Sequence, residues 1–94
     1  RTREKMPDEW ATTLFQLGTS FYEHGKLLRG NRTFQKSVVA FKNALTAFDA
    51  DDQPLALAAT HNSRGAALQT LAESEENADR LQEAIKAYET ALTI

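Results

Sequence analysis

The 94-residue sequence repeats itself once, at a constant offset of 47 positions and without a gap. The offset pairs Pro7 with Pro54, Ala11 with Ala58, Thr13 with Thr60 and Gly18 with Gly65. Further along it pairs Gln35 with Gln82, Ala40 with Ala87, Ala44 with Ala91, Leu45 with Leu92 and Thr46 with Thr93. These nine identities compare with about three expected from ordinary composition. Similar residues add to them: Phe34 with Leu81, Ser37 with Ala84, Val38 with Ile85, and Phe41 with Tyr88. One offset for everything requires two units of equal loop length and equal helix phase. It predicts two copies of one supersecondary unit, with unit one at about 7–53 and unit two at about 54–94.

Each unit reads as two helices. Trp10, Leu14, Leu17, Gly18 and Phe21 fall on one stripe of a 3.6-residue helix, expected from about residue 8 to residue 24. Pro7 suits its first turn, and Asp8 and Glu9 favour the positive end of its dipole. Gly25, Gly30 and Asn31 predict a long connection, with Thr33 as the cap of the next helix. In that helix Phe34, Val38, Phe41, Leu45 and Phe48 recur every three or four residues, beside a small-residue stripe of Ala40, Ala44 and Ala47. Unit two predicts a helix from Pro54 to about Ala72, a polar turn over Glu73 to Ala78, and a last helix from about Asp79. Leu81, Ile85, Tyr88 and Leu92 are its expected core stripe. Amphipathic helices joined closely fold back as antiparallel hairpins, so the expected class is all-α, an α-solenoid of two hairpins and four helices.

Hydrophobic residues make up 41% and charged residues 26%, which excludes a disordered or fibrous chain. No cysteine is present, so disulfides, thiolate metal sites and thiol nucleophiles are absent, and a reducing, cytoplasmic setting is expected. No apolar run approaches the ~18 residues of a membrane span, and no membrane role is expected. The chain starts at Arg1 and stops at Ile94 inside an apolar pattern, which predicts a piece of a longer repeat protein. Charge is uneven. Residues 1–47 hold eight Lys or Arg against four Asp or Glu, whereas residues 48–94 hold three against nine. The basic residues are scattered among acids and form no stripe for a nucleic acid. The opposed halves suggest association of one end with another.

Leu14, Leu17, Gly18 and Phe21, followed by Ser37, Phe41 and Ala44, resemble the signature of the tetratricopeptide repeat family; unit two keeps Gly65, Leu68, Ala84, Tyr88 and Ala91. The resemblance covers nearly the whole chain, in an extended-period form, since the family's usual period is about 34. A HEAT-like array fits the period equally, and the small-aromatic-small spacing favours the tetratricopeptide family. The pattern implies that Gly18 and Gly65 allow the two helices of a unit to cross closely. It places Ala44 and Ala91 where a unit meets its successor, with Phe41 and Tyr88 filling the space between. His61 and Arg64 stand where unit one has Leu14 and Leu17. They are expected to be packed, His61 neutral and Arg64 laying its stem over apolar neighbours.

Catalysis finds little support in the residues. His24 and His61 lie in different units, and neither has a carboxylate or second histidine at metal-ligand spacing. Asp49, Asp51, Asp52 and Glu73, Glu75, Glu76, Asp79 fall in expected links, and the first group lacks the glycine and closing glutamate of a calcium loop. Gly18, Gly25 and Gly30 are too dispersed for a phosphate cradle, and Ser63 lacks the glycines of a nucleophile elbow. Asn31-Arg32-Thr33 is a glycosylation sequon that a cytoplasmic protein does not use. No cofactor, metal or enzymatic activity is expected.

The resemblance implies a concave groove lined by the first helix of each unit and receiving a peptide or a partner helix. By position its residues are Thr12, Phe15, Thr19, Tyr22 and Glu23, then Ala59, Asn62, Ala66, Gln69 and Thr70. Phe15, Thr19, Tyr22, Asn62, Ala66 and Gln69 are the expected partner contacts, Phe15 and Tyr22 as apolar anchors and the two amides as holders of a peptide backbone. The lysine and arginine clamp that some members use for a terminal carboxylate has no counterpart on this face. Two other roles fit the same features: a self-association module burying Trp10, Leu57 and the His61 face, or a sensor module of a larger protein.

Overall fold

A computed structural model describes residues 7–28, 31–48 and 53–94. Among these there are four helices and no strand: α1 (Pro7–Leu28), α2 (Asn31–Leu45), α3 (Pro54–Glu75) and α4 (Ala78–Leu92). Each boundary in the second pair lies 47 residues after its counterpart in the first. The repeat legible in the residues is therefore also a repeat of helix length and phase.

Helix α1 is longer than its stripe suggests because Gly25 does not end it. A glycine inside a helix costs about 1 kcal/mol, whereas burying a phenylalanine is worth about 1.5–3 kcal/mol. The ring of Phe34, 5% exposed, fills the space where a Gly25 Cβ would stand, 2.8 Å from Cε1. Packing wins over propensity, and the connection to α2 shrinks to residues 29–30, with Gly30 outside the described residues. Thr33 is then helical and not a cap, since α2 already begins at Asn31. Phe48 lies beyond α2, in a turn where its N–H reaches the Ala44 carbonyl at 3.2 Å. Asp49, Asp51 and Asp52 also lie outside the described residues.

The turn between α3 and α4 is shorter than expected too. Glu73 and Glu75 are helical, and Glu76 closes α3 in the left-handed region with φ 52° and ψ 46°. The N–H of Asn77 donates to the Ala72 carbonyl at 3.0 Å, completing a Schellman-type end. The side chain of Asn77 then caps α4, its Oδ1 accepting from the N–H groups of Asp79 and Arg80 at 3.0 and 3.2 Å. One residue thus ends a helix with its backbone and starts the next with its side chain.

The two hairpins share one contact. A Cβ on Gly18 would meet Cε1 of Phe41 at 2.7 Å, and one on Gly65 would meet Cε1 of Tyr88 at 3.0 Å. Gly18 with Phe41 and Gly25 with Phe34 are seven residues apart on both helices, so the rings dock on successive double turns of an antiparallel pair. Ser37, fully buried, donates its hydroxyl to the Gly18 carbonyl at 2.7 Å and closes the same crossing.

Chain neighbours pack along their length, and α1 touches α3 only lightly. The result measures 40 × 28 × 17 Å, about two helix layers thick. Helix α3 serves two neighbours: Gly65, Leu68 and Ala72 form one buried stripe, and Thr60, Ala67 and Leu71 another. The expected core stripe of α4 needs correction. Leu81, Ile85 and Leu92 are exposed, and Ala84 and Ala87 are the buried residues of that helix. Among the described residues, α4 packs on α3 alone. Leu17 is likewise exposed, where a core position was expected.

Adding a methyl group at either crossing sets overpacking, typically ~1–3 kcal/mol, against the ~1 kcal/mol that alanine gains in a helix. Phe41 is fully enclosed, so Gly18→Ala is expected to lower the unfolding free energy by about 1–2 kcal/mol. At Gly65 the looser approach makes alanine nearly neutral. Urea denaturation of both variants checks the order, and a Gly18→Ala protein as stable as wild type would contradict it.

Candidate functional site

Because α1 and α3 both lean on α2 but barely on each other, a cleft runs between them. Two hollows of about 210 Å³ each lie along it. One is lined by Thr12, Phe15, Phe48, Gln53, Ala56 and Ala59, the other by Thr19, Tyr22, Glu23, Phe41, Ser63 and Ala66. Phe41 joins α2 to the second hollow, so the residue that sets the hairpin crossing also backs the cleft.

Of the expected contact residues, Thr19, Tyr22 and Ala66 share the second hollow and Phe15 lies in the first. Asn62 and Gln69 line neither. Phe15 is half-buried, its ring 5.6 Å from that of Phe41 at 58°. Tyr22 meets Phe34 edge-on at 5.7 Å, with Lys26 Nζ 5.2 Å from its centroid. Both anchors are thus walls of the hairpin and of the cleft at once, held in place by aromatic partners. The Lys26 to Glu23 ion pair beside them, at 3.3 Å and well exposed, adds little.

The polar groups are partly committed. Thr19 donates its hydroxyl to the Phe15 carbonyl at 3.0 Å. Gln69 spends both ends of its amide inside the second unit: Oε1 accepts from the Tyr88 hydroxyl at 2.9 Å, and Nε2 donates to Glu73 Oε2 at 3.3 Å. Burial pushes the Tyr88 hydroxyl above its ordinary pKa, and Tyr22 and Glu73 add to the effect, so Tyr88 stays a neutral donor. Asn62 is exposed.

A third hollow, about 340 Å³, opens on the other side of the first hairpin between Leu14, Leu17 and Phe21 of α1 and Arg32, Lys36 and Val39 of α2. Sequence reasoning placed Leu14, Leu17 and Phe21 in the core and missed this surface. The available signal was the offset itself, which replaces Leu14 and Leu17 by the polar His61 and Arg64. In unit two Arg64 reaches across the corresponding space to Glu83, Nη2 to Oε2 at 3.5 Å. His61 Nδ1 and Arg64 Nε are buried there with no hydrogen-bond partner among the described residues.

Among the described residues, no group of three or more His, Cys, Asp or Glu gathers in a way that could hold a metal ion. No helix there is long and apolar enough to cross a membrane. Comparison with models of known families, with curated proteins and with solved structures finds no match to the chain.

Burial, and secondly the Arg64 guanidinium, lower the pKa of His61 below its ordinary value of about 6.5. Near and below that value the unfolded chain accepts a proton that the folded chain resists. The His61 contribution to stability is therefore present above about pH 6.5 and is lost as the pH falls from there through the lower folded-state value. Replacement by the unit-one residue, His61→Leu, is expected to flatten the loss of thermal stability between about pH 7.5 and about pH 5. Parallel curves for the two proteins would contradict a half-buried, proton-resisting His61.

Proposed function

We propose that the chain is a protein-interaction scaffold of tetratricopeptide type, receiving a peptide segment or a partner helix in the cleft between α1 and α3. The observation that carries this is the alignment of two hollows along one cleft, walled by aromatic rings that are already fixed by other rings. Ordered anchors lose little conformational entropy on binding, which favours recognition of a short segment. The lining of α1 runs from Thr12 to Glu23, a rise of about 17 Å, the length of about five extended residues.

The repeat assignment is supported by equal helix boundaries at the 47-residue offset and by glycine–aromatic crossings at the positions the family signature uses. Among the described residues, Glu23 is the one carboxylate lining the two hollows and no imidazole joins it, and paired acid–base work needs two such groups, so the reading as a binding cleft is the better supported. The polar share of recognition falls to Glu23 and Ser63 of the second hollow, since Asn62 lines neither hollow and the Gln69 amide serves Tyr88 and Glu73. Phe15 and Tyr22 are poor positions for a test, because their truncation also removes packing under the cleft.

The test is to fill the cleft without touching the core, using Thr19→Arg together with Ala66→Arg. Wild type panned against a displayed library of random peptides is expected to enrich a consensus with an apolar residue. The double variant should bind the enriched peptide at least about tenfold more weakly at unchanged melting temperature, a loss of about 1.4 kcal/mol. Equal binding by both proteins, or no enrichment by wild type, would overturn the assignment.

A further inference from the structure

The hollow of about 340 Å³ on the other side of the first hairpin takes no part in the α1–α3 cleft. Leu14, Leu17 and Phe21 of α1 and Val39 and Ala40 of α2 make its floor apolar. Its rim on α2 is polar, with Arg32 and Lys36 one helical turn apart and the amides of Gln35 and Asn43 beyond them. Leu17 and Val39 are 44% and 56% exposed, so part of this apolar surface faces water.

The 47-residue offset supplies an internal control. Leu17 becomes Arg64 and Val39 becomes Lys86, so both exposed apolar positions carry a cation in unit two. Arg32 and Lys36 become Asp79 and Glu83, which reverses the charge of the rim. Unit two answers its own rim across the hairpin, with Arg64 Nη2 3.5 Å from Glu83 Oε2. Unit one does not. No acidic side chain lines its hollow, and α2 carries three cations and no acid. Among the described residues neither Arg32 nor Lys36 forms an ion pair, and Lys36 Nζ instead lies 5.8 Å from the centroid of the Phe21 ring.

Stacking of units does not close this surface. Unit two has a unit in front of it, and there the matching wall of Asp79, Gln82, Glu83, Lys86 and Thr90 is exposed throughout.

We propose that the hollow between α1 and α2 is a second docking site, for an acidic amphipathic segment of a partner protein. A large apolar side chain of the partner enters between Leu14, Leu17 and Phe21, and flanking carboxylates meet Arg32 and Lys36. The carboxylates then do for unit one, with the sign reversed, what Arg64 does for Glu83 in unit two. The apolar anchor supplies affinity, and the charges fix orientation and reject basic segments. A fatty acid shares this chemistry but brings one carboxylate, whereas the polar rim from Arg32 to Asn43 runs about 17 Å along α2, the length of three helical turns. That extent favours a docked peptide helix. The site is separate from the α1–α3 cleft and stands whether or not the cleft is occupied.

The probe is a fluorescent synthetic helix of about twelve residues, or three turns, with Leu and Phe on one face and Glu flanking them. Wild type is expected to bind it at least about tenfold more tightly than a version with Lys in place of every Glu. Arg32→Glu combined with Lys36→Glu, both at exposed positions, is expected to reverse that preference at unchanged melting temperature. Leu17→Ser should weaken both peptides, and Thr19→Arg with Ala66→Arg in the cleft should leave both unaffected. Affinity for the acidic peptide is expected to fall as salt rises from about 0.05 to about 0.5 M. Failure of wild type to bind the acidic peptide, an unreversed preference in the charge-swapped protein, or loss of binding in the cleft variant would each overturn the proposal. Displacement of the peptide by an equimolar amount of sodium dodecanoate would assign the hollow to a lipid carboxylate and overturn it as well.

Discussion

The approach of a bare glycine backbone to an aromatic ring is the contact on which this molecule is built. Gly18 with Phe41 and Gly25 with Phe34 bring the first hairpin closer than a Cβ at the glycine permits, and Gly65 with Tyr88 repeats the contact slightly more loosely in the second. From that distance follow the enclosed Ser37 hydroxyl and the burial of Phe41. Phe41 also lines the second hollow, so the cleft shares a wall with the hairpin crossing. Changes to Phe41 or Phe34 are expected to act on stability and on recognition together.

Unit two keeps one glycine–aromatic pair and rewrites the other. Where unit one sets Gly25 against Phe34, unit two has Ala72 and Leu81, a larger residue on α3 and a smaller one on α4. The exchange conserves bulk across the crossing, which a close-packed interface requires. Ala72 and Leu81 line a common hollow of about 230 Å³, so the substituted pair fits less tightly than the original. His61 Nδ1 and Arg64 Nε, without hydrogen-bond partners among the described residues, mark a second place where unit two departs from the apolar pattern.

Much of this architecture is legible in the residues, because a gapless offset and the glycine positions are both backbone statements. Four helices and their pairing follow from periodicity. The boundaries do not: Gly25 reads as a breaker until the ring of Phe34 is seen to occupy its empty side, and Glu73 and Glu75 read as a loop until Glu76 closes the helix. Burial on α4 was also misjudged, since periodicity reveals an apolar stripe but not whether a neighbour covers it. At the candidate site, Thr19, Tyr22 and Ala66 converge as their positions imply. The commitment of Gln69 to Tyr88 and Glu73 depends on side-chain geometry that spacing does not encode. The hollow between Leu14, Leu17 and Phe21 was hidden for the same reason as the α4 face.

The central claim is that complementary bulk at the glycine–aromatic crossings determines the hairpins, and a double-mutant cycle converting the unit-one pair into the unit-two pair tests it most directly. Gly25→Ala forces a Cβ against Phe34, and Phe34→Leu leaves space against Gly25, so each change alone destabilises. Combined, they recreate the Ala72 and Leu81 arrangement. The account predicts that the double variant is more stable than the sum of the single losses by at least about 1 kcal/mol, as expected for residues in contact. Additivity within about 0.3 kcal/mol would mean that the two residues do not share the space, and would contradict it.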